Sequence, residues 1–198
     1  GETNSTTRTA VTESWNNTCW SEVADLNTAR SILGGAGTTN TNALAFGGEG
    51  PPARKANTEL YNGTCWSEVA DLNTARDGVS GAGTQTAGLA FGGDTGSKLR
   101  GSTVSSVGAW ATGGSLNTAR YSLGGAGTQT SALAIGGTLD PPNSDKAESY
   151  NGSAWTEVAS LNQQRYEIGG VGASNTAALA FGGGPGSGQT VETEKWNG

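Results

Sequence analysis

Thirteen residues, TCWSEVADLNTAR, occupy Thr18 to Arg30 and recur letter for letter at Thr64 to Arg76. Looser copies stand at Ser153 to Arg165 and around Trp110 to Arg120. The copies keep time: Trp20, Trp66, Trp110 and Trp155 lie 46, 44 and 45 residues apart, and Arg30, Arg76, Arg120 and Arg165 repeat the same three intervals. A period near 45 residues is that of propeller blades, in which one unit cannot bury its apolar face alone and must stack on its neighbours. A residue that recurs in every copy is then a packing device before it is a catalyst.

Composition taken alone points elsewhere. Leu, Ile, Val and Phe make up only 28 of 198 residues, a share that in most chains signals disorder. Here the net charge is only −6 and the apolar residues are periodic. Six Trp can each bury roughly 150–250 Å², and Ala and Gly fill the rest, so the expectation is one ordered domain over residues 1–198.

The absences exclude whole classes of chemistry. Without His there is no Ser-His-Asp arrangement and no His-ligated zinc or copper. The acidic balance, with a pI near 4.6, argues against nucleic-acid binding, which wants a basic surface. No apolar run approaches the length of a membrane span, so membrane insertion is not expected. The chain has no Met and starts at Gly1, which reads as a processed product or an excised segment.

Within one period the strands can be read in order. After Arg76 comes a Gly- and Ala-rich segment near Val79 to Thr84, small enough to sit where backbones crowd an axis. A second strand, AGLAF, ends in Gly92-Gly93, and a variable loop leads to a third strand ending at Tyr61 or its equivalent. The third and fourth strands join at Asn62-Gly63, at Asn151-Gly152 and at Asn16-Asn17. Asn-Gly suits a type I′ turn, which needs positive φ at both central residues. Cys19 and Cys65, each just before its Trp and replaced by Ala109 and Ala154 in the other copies, read as small buried thiols rather than a disulfide.

The ordered set of a Gly-Gly doublet (Gly47-Gly48, Gly92-Gly93, Gly136-Gly137, Gly182-Gly183), a third-strand aromatic (Trp15, Tyr61, Tyr150, Trp196), a fourth-strand Trp and an Arg opening the next unit resembles kelch repeats over nearly the whole chain. Aromatic and Trp lie five apart, one or two fewer than usual in that family. The wording NGxxWxEVxxLNxxR followed by GAGTQTxALAFGG is similar, more narrowly, to kelch-like arrays in structural proteins of marine bacteriophages. The resemblance implies an all-β, kelch-type propeller of four-stranded blades, about four of them visible. Five third strands occur against four of every other segment. Either four blades close with one strand redundant or the chain is a window on a longer array, and the stop at Trp196-Asn197-Gly198, where a turn should begin, favours the window.

The recurring charges have two readings. Arg30, Arg76, Arg120 and Arg165 form a cationic ring at a channel mouth, or each fork caps carbonyls and pairs with a nearby carboxylate; Asp25, Asp71, Glu22, Glu68 and Glu157, close in sequence, favour the second. Glu13, Glu59 and Glu148, each seven residues before a Trp, read as partners between blades. The third-strand aromatics read as packing rather than a sugar platform. The third copy, Gly101 to Arg120, lacks the Glu and the Tyr, is read as one residue shorter at its turn, and has TGGS for EVAD; it is either drift on a tolerant edge or a flat contact patch.

The ligand candidates are the variable loops after each doublet, around Pro51, Arg54, Asp94, Lys98, Asp140, Asn143 and Asp145, because loops are where function is tuned. Asp140, Asn143 and Asp145 could offer oxygens to Ca²⁺, but an acidic turn beside Pro141-Pro142 accounts for them. The sequons at Asn4, Asn16, Asn62 and Asn151 are mostly the repeated turn. The functional expectation is a module without catalysis or cofactor, located on a virion or outside the cell, whose partners are other subunits of an assembly or a host-surface glycan or protein. A secreted lectin-like propeller is the alternative. An enzyme on the same scaffold is less favoured, since the copper site of the galactose-oxidase relatives needs His.

Overall fold

The computed structural model describes residues 2–4, 7–106, 109–139, 141–185 and 188–198. Among them there is no helix. The chain is an all-β, four-blade propeller of antiparallel sheets, each blade running outward from an inner strand. The Trp66 blade is Gly34–Thr39, Asn42–Phe46, Thr58–Tyr61 and Trp66–Val69. The Trp110 blade is Ser80–Gly83, Gly88–Phe91, Ser102–Ser106 and Ala109–Thr112, and the Trp155 blade is Gly124–Thr128, Ser131–Ile135, Ala147–Tyr150 and Trp155–Val158. The last blade has three strands, Gly169–Ser174, Ala177–Phe181 and Thr193–Trp196. A separate hairpin, Thr12–Trp15 with Trp20–Val23, docks upstream of the Trp66 blade, where Asn40 Nδ2 donates to Ser14 Oγ and to the Trp15 carbonyl.

The Gly-rich segments do line the axis. A Cβ at Gly81 would lie 2.3 Å from the Gly35 carbonyl oxygen, and one at Gly125 would lie 2.5 Å from that of Gly81. Only hydrogen fits between such backbones, so these two positions tolerate no larger side chain. The four inner strands surround an axial cavity of about 420 Å³ lined mostly by Gly and Ala, with Thr39, Leu44 and Val171. They pack first on second, second on third and third on fourth, and among the described residues no comparable packing joins the fourth to the first.

Blades adhere through a ring contact that recurs. Phe46 meets Trp110 of the next blade with centroids 5.3 Å apart, and Phe91 meets Trp155 at 5.0 Å. Both Phe residues are fully buried. At the two edges of the array the same residue types are open: Phe181 is 43% exposed and Trp20 is 64% exposed.

The outer hairpin differs from the expected type I′ turn. Positive φ occurs at Gly63 and Gly152 but not at Asn62 or Asn151, the pattern of a type II′ turn with Gly first. Asn62 stays extended because its Oδ1 accepts the N–H groups of Thr64 and Cys65 at 2.9 and 3.0 Å. The cysteines are likewise not buried: Cys19 and Cys65 are both exposed and unbridged, since each closes this solvent-side turn before its strand begins. In the third copy Ser105 pairs with Trp110 in the register in which Tyr61 pairs with Trp66, so that hairpin is not shortened. Its turn, residues 107 and 108, lies outside the described residues. Gly114 lies against the next blade, where a Cβ would fall 2.2 Å from the Ser153 carbonyl oxygen.

Candidate functional site

The strand-two to strand-three loops leave every blade at the same end, and their bases are held by recurring main-chain hydrogen bonds, with the ladder arginines donating to carbonyls of the same residues. In the Trp66 blade Gly47 N–H donates to the Asn57 carbonyl, Lys55 N–H to Gly48, and Leu72 and Arg76 N–H to Ala56 and Lys55. The Trp110 blade repeats all four bonds with Gly92 to Gly101, Leu99 to Gly93, Leu116 to Arg100 and Arg120 to Leu99. The Trp155 blade repeats them with Gly136 to Lys146, Ser144 to Gly137, Leu161 to Asp145 and Arg165 to Ser144. Main-chain bonds do not read side chains, so loops that share almost no sequence share one frame. The doublets make this possible with positive φ at both glycines, for example 67° at Gly92 and 102° at Gly93, a region closed to most side chains.

Above this frame the loops are stitched together. Arg54 Nε lies 3.0 Å from Asp77 and its Nη2 lies 3.4 Å from Asp94, both in the Trp110 blade. Lys98 reaches Asp94 at 3.8 Å and sits over the Tyr121 ring, 5.3 Å from its centroid. Arg8 joins Glu49 at 3.0 Å. Burial raises the Asp77 carboxyl above its ordinary 3.8, opposed by Arg54 and reinforced by the charges of Asp94 and Glu49. This face is therefore a charged network across three blades rather than a set of independent tips.

The predicted loop residues fall as follows. Pro51 is exposed at a hairpin tip, its carbonyl accepting Lys55 Nζ at 3.0 Å. Arg54, Asp94 and Lys98 come together in the network just described. Asn143 is bridged to Thr138, and the Asp145 carbonyl belongs to the loop base. Asp140 lies outside the described residues, and no group of metal-ligating side chains occurs among the described ones.

The arginine ladder is framework. Arg30, Arg120 and Arg165 are fully buried and Arg76 is nearly so. Each fork reaches outward to the blade that follows it. Arg120 donates to the carbonyls of Gly136 and Lys146 at 3.0 and 2.6 Å and to Glu148 at 2.7 Å. Arg30 meets Glu59 at 2.7 Å, and Arg165 pairs with Glu194. The partners are thus third-strand carboxylates about 30 residues downstream rather than Asp25, Asp71, Glu22, Glu68 or Glu157. Glu194 was missed in the sequence, although it stands two residues before its strand's aromatic, as Glu13, Glu59 and Glu148 do. The ring of free cations is excluded by this burial.

Of the Trp ladder, Trp110 and Trp155 are buried, Trp66 is half-buried and Trp20 is exposed. Trp15 and Trp20 lie with centroids 5.6 Å apart and ring planes tilted by 46°, and, with Glu13, Ser14 and Asn40, line a groove of about 240 Å³ against Tyr61 and Trp66.

A scan against protein-family models finds no match, and a comparison with curated proteins finds none either. What the chain has in common with known architecture is the four-blade propeller arrangement itself.

Proposed function

We propose that this protein is a recognition and structural module without catalysis, which binds through its loop face to other subunits of an assembly or to a host-surface protein or glycan. The observation that carries the reading is the division between frame and tip. In three blades the loop base is held by the same four main-chain bonds, leaving the tips at Pro51-Pro52, Thr95 to Ser97 and Leu139 to Pro142 free to differ in sequence. A scaffold that separates folding from recognition in this way suits a surface whose partner changes. The kelch-like wording of the repeat, similar to arrays in phage structural proteins, supports a position on a virion, fibre or appendage. The recurring Arg and Glu residues support the absence of catalysis, since they are spent on holding blades together.

A second reading has its own support. The Trp15–Trp20 pair beside Glu13, Ser14 and Asn40 offers apolar faces rimmed by hydrogen-bonding groups, the chemistry of a sugar-stacking groove. The test is to replace the three tips with Gly-Ser segments of equal length, and separately to make Trp15→Ala. Both proteins are then assayed for melting temperature and for binding to host cells and a glycan panel. Tip replacement should leave melting unchanged and abolish binding. Binding that survives it but is lost in Trp15→Ala assigns recognition to the groove. Binding unaffected by either change, or substrate turnover abolished by one point substitution, overturns the proposal.

A further inference from the structure

Asp71 to Arg76 has the same sequence as Asp25 to Arg30, yet the two segments meet different chemistry on the blades they dock against. Asn27 gives its backbone N–H at 2.6 Å and its Nδ2 at 2.9 Å to Glu59 Oε2, Arg30 gives Nη1 to Oε1 at 2.7 Å, and Nδ2 also reaches the Trp66 carbonyl. Asn117 and Arg120 surround Glu148 with the same donors, and Asn117 Nδ2 again reaches the Trp carbonyl, here of Trp155. One carboxylate thus collects a guanidinium, a main-chain N–H and an amide.

In the Trp110 blade that position is Thr103. It pairs across the sheet with Ala90 and Thr112, as Glu59 pairs with Ala45 and Glu68. Arg76 keeps its two carbonyl contacts, with Gly92 and Gly101 at 3.0 Å each, and adds Thr103 Oγ1 at 3.2 Å. It remains 2% exposed, and burial lowers its pKa from 12.5 to about 10. Among the described residues it has no carboxylate partner, and no hydrogen bond engages the N–H or the side chain of Asn73. A buried cation without a carboxylate partner, and an Asn whose N–H and amide make no hydrogen bond, thus stand on the linker whose blade carries Thr, two heavy atoms smaller than Glu, at the acceptor position. Asn73 itself is exposed, so the place can be reached from solvent.

We propose that Arg76, Asn73 and Thr103 form a binding site for a small free carboxylate anion of formate size, which takes the position that the Glu59 and Glu148 carboxylates hold in the neighbouring blades. The identity of the two segments is what makes this specific: Asn73 makes none of the hydrogen bonds that Asn27 makes, and Arg76 meets a hydroxyl where Arg30 meets a carboxylate. Thr103 is smaller than Glu by only two heavy atoms, which is why the proposal is for the smallest carboxylate, formate, rather than a longer one.

The test is a titration of the ¹⁵N-labelled protein with sodium formate against sodium chloride at constant ionic strength, following the backbone amides of Asn73 and Asn27. The site predicts a saturable shift of the Asn73 amide with formate and none at Asn27, whose acceptor is already in place. Thr103→Glu should abolish the Asn73 response and raise the melting temperature to that of the formate-saturated parent. Should that variant fail to fold, the contrast between Asn73 and Asn27 in the parent protein still decides. No shift at Asn73, equal shifts at Asn73 and Asn27, or an equal response to acetyl-aspartate amide, which would assign the place to a partner's side chain, each overturns the proposal.

Discussion

Removing Glu148 while leaving Arg120 in place tests the idea that the ladder is the framework's main polar joint. Glu148 is about 1% exposed and accepts three donors, Arg120 Nη2 at 2.7 Å, Asn117 N–H at 2.7 Å and Asn117 Nδ2 at 2.8 Å. Glu148→Ala strands a fully buried guanidinium with only the Gly136 and Lys146 carbonyls. Breaking a buried pair from one side costs about 3–5 kcal/mol, because the remaining charge keeps its desolvation penalty. For a chain of this size that corresponds to a fall in melting temperature of roughly 6–20 °C. Glu148→Thr, which copies Thr103, should recover about 1.5–3 kcal/mol, the worth of a hydrogen bond to a charged group. Urea denaturation at low and high salt measures both, and the loss should persist in salt because a buried pair is poorly screened. A loss under about 1 kcal/mol, or one that vanishes in salt as a surface pair's would, refutes the reasoning.

Other outcomes follow from the same contacts. Trp155→Ala, which removes a ring lying 5.0 Å from Phe91 and 4.8 Å from Tyr150, should cost about 3–5 kcal/mol, whereas the same change at exposed Trp20 should stay within about 0.5 kcal/mol; thermal melts compare them. Since Asp77 is raised above 3.8, first by burial, its folded form holds the proton longer than its unfolded form. Stability should therefore fall as pH rises from the ordinary value through the raised one. Arg54→Ala, which removes the opposing charge, should steepen that fall in urea midpoints measured across the acid range. Both thiols of the native protein should react with a thiol reagent without denaturant, because Cys19 and Cys65 are exposed.

Much of the scaffold was legible because a repeat turns one reading into four. The Gly- and Ala-rich segment near Val79 to Thr84 could be placed at the axis from its small residues, and the doublets at strand ends from their recurrence. The partner of the ladder was harder. Arg30 sits five residues from Asp25 and 29 from Glu59, and proximity in sequence favoured the wrong carboxylate. Blade stacking, which brings each linker onto the next blade's third strand, decides the matter, and its trace in the sequence is the Glu two residues before each third-strand aromatic. The cysteines were misread for a related reason. Interchange with Ala109 and Ala154 speaks of size, whereas burial depends on whether the strand has begun, and Trp66 rather than Cys65 begins it. The link from Arg54 to Asp94 had no trace at all, because neither residue recurs.

The irregular copy is where these two kinds of information separate. A repeat constrains each residue through its equivalents, so a departure that keeps the partner and changes only the acceptor is visible as a chemical difference at constant geometry. Arg76 is buried like its three counterparts although Thr103 offers one hydroxyl where they meet a carboxylate. The Gly92 and Gly101 carbonyls supply dipoles but no charge, and burial lowers the Arg76 pKa to about 10, so the guanidinium still pays for its desolvation. The arginine is kept for the framework bonds that its counterparts also make, to the Gly92 and Gly101 carbonyls, while the charge it brings has no carboxylate to face. Retention of the full donor set beside a shortened side chain is what a site open to an external anion requires.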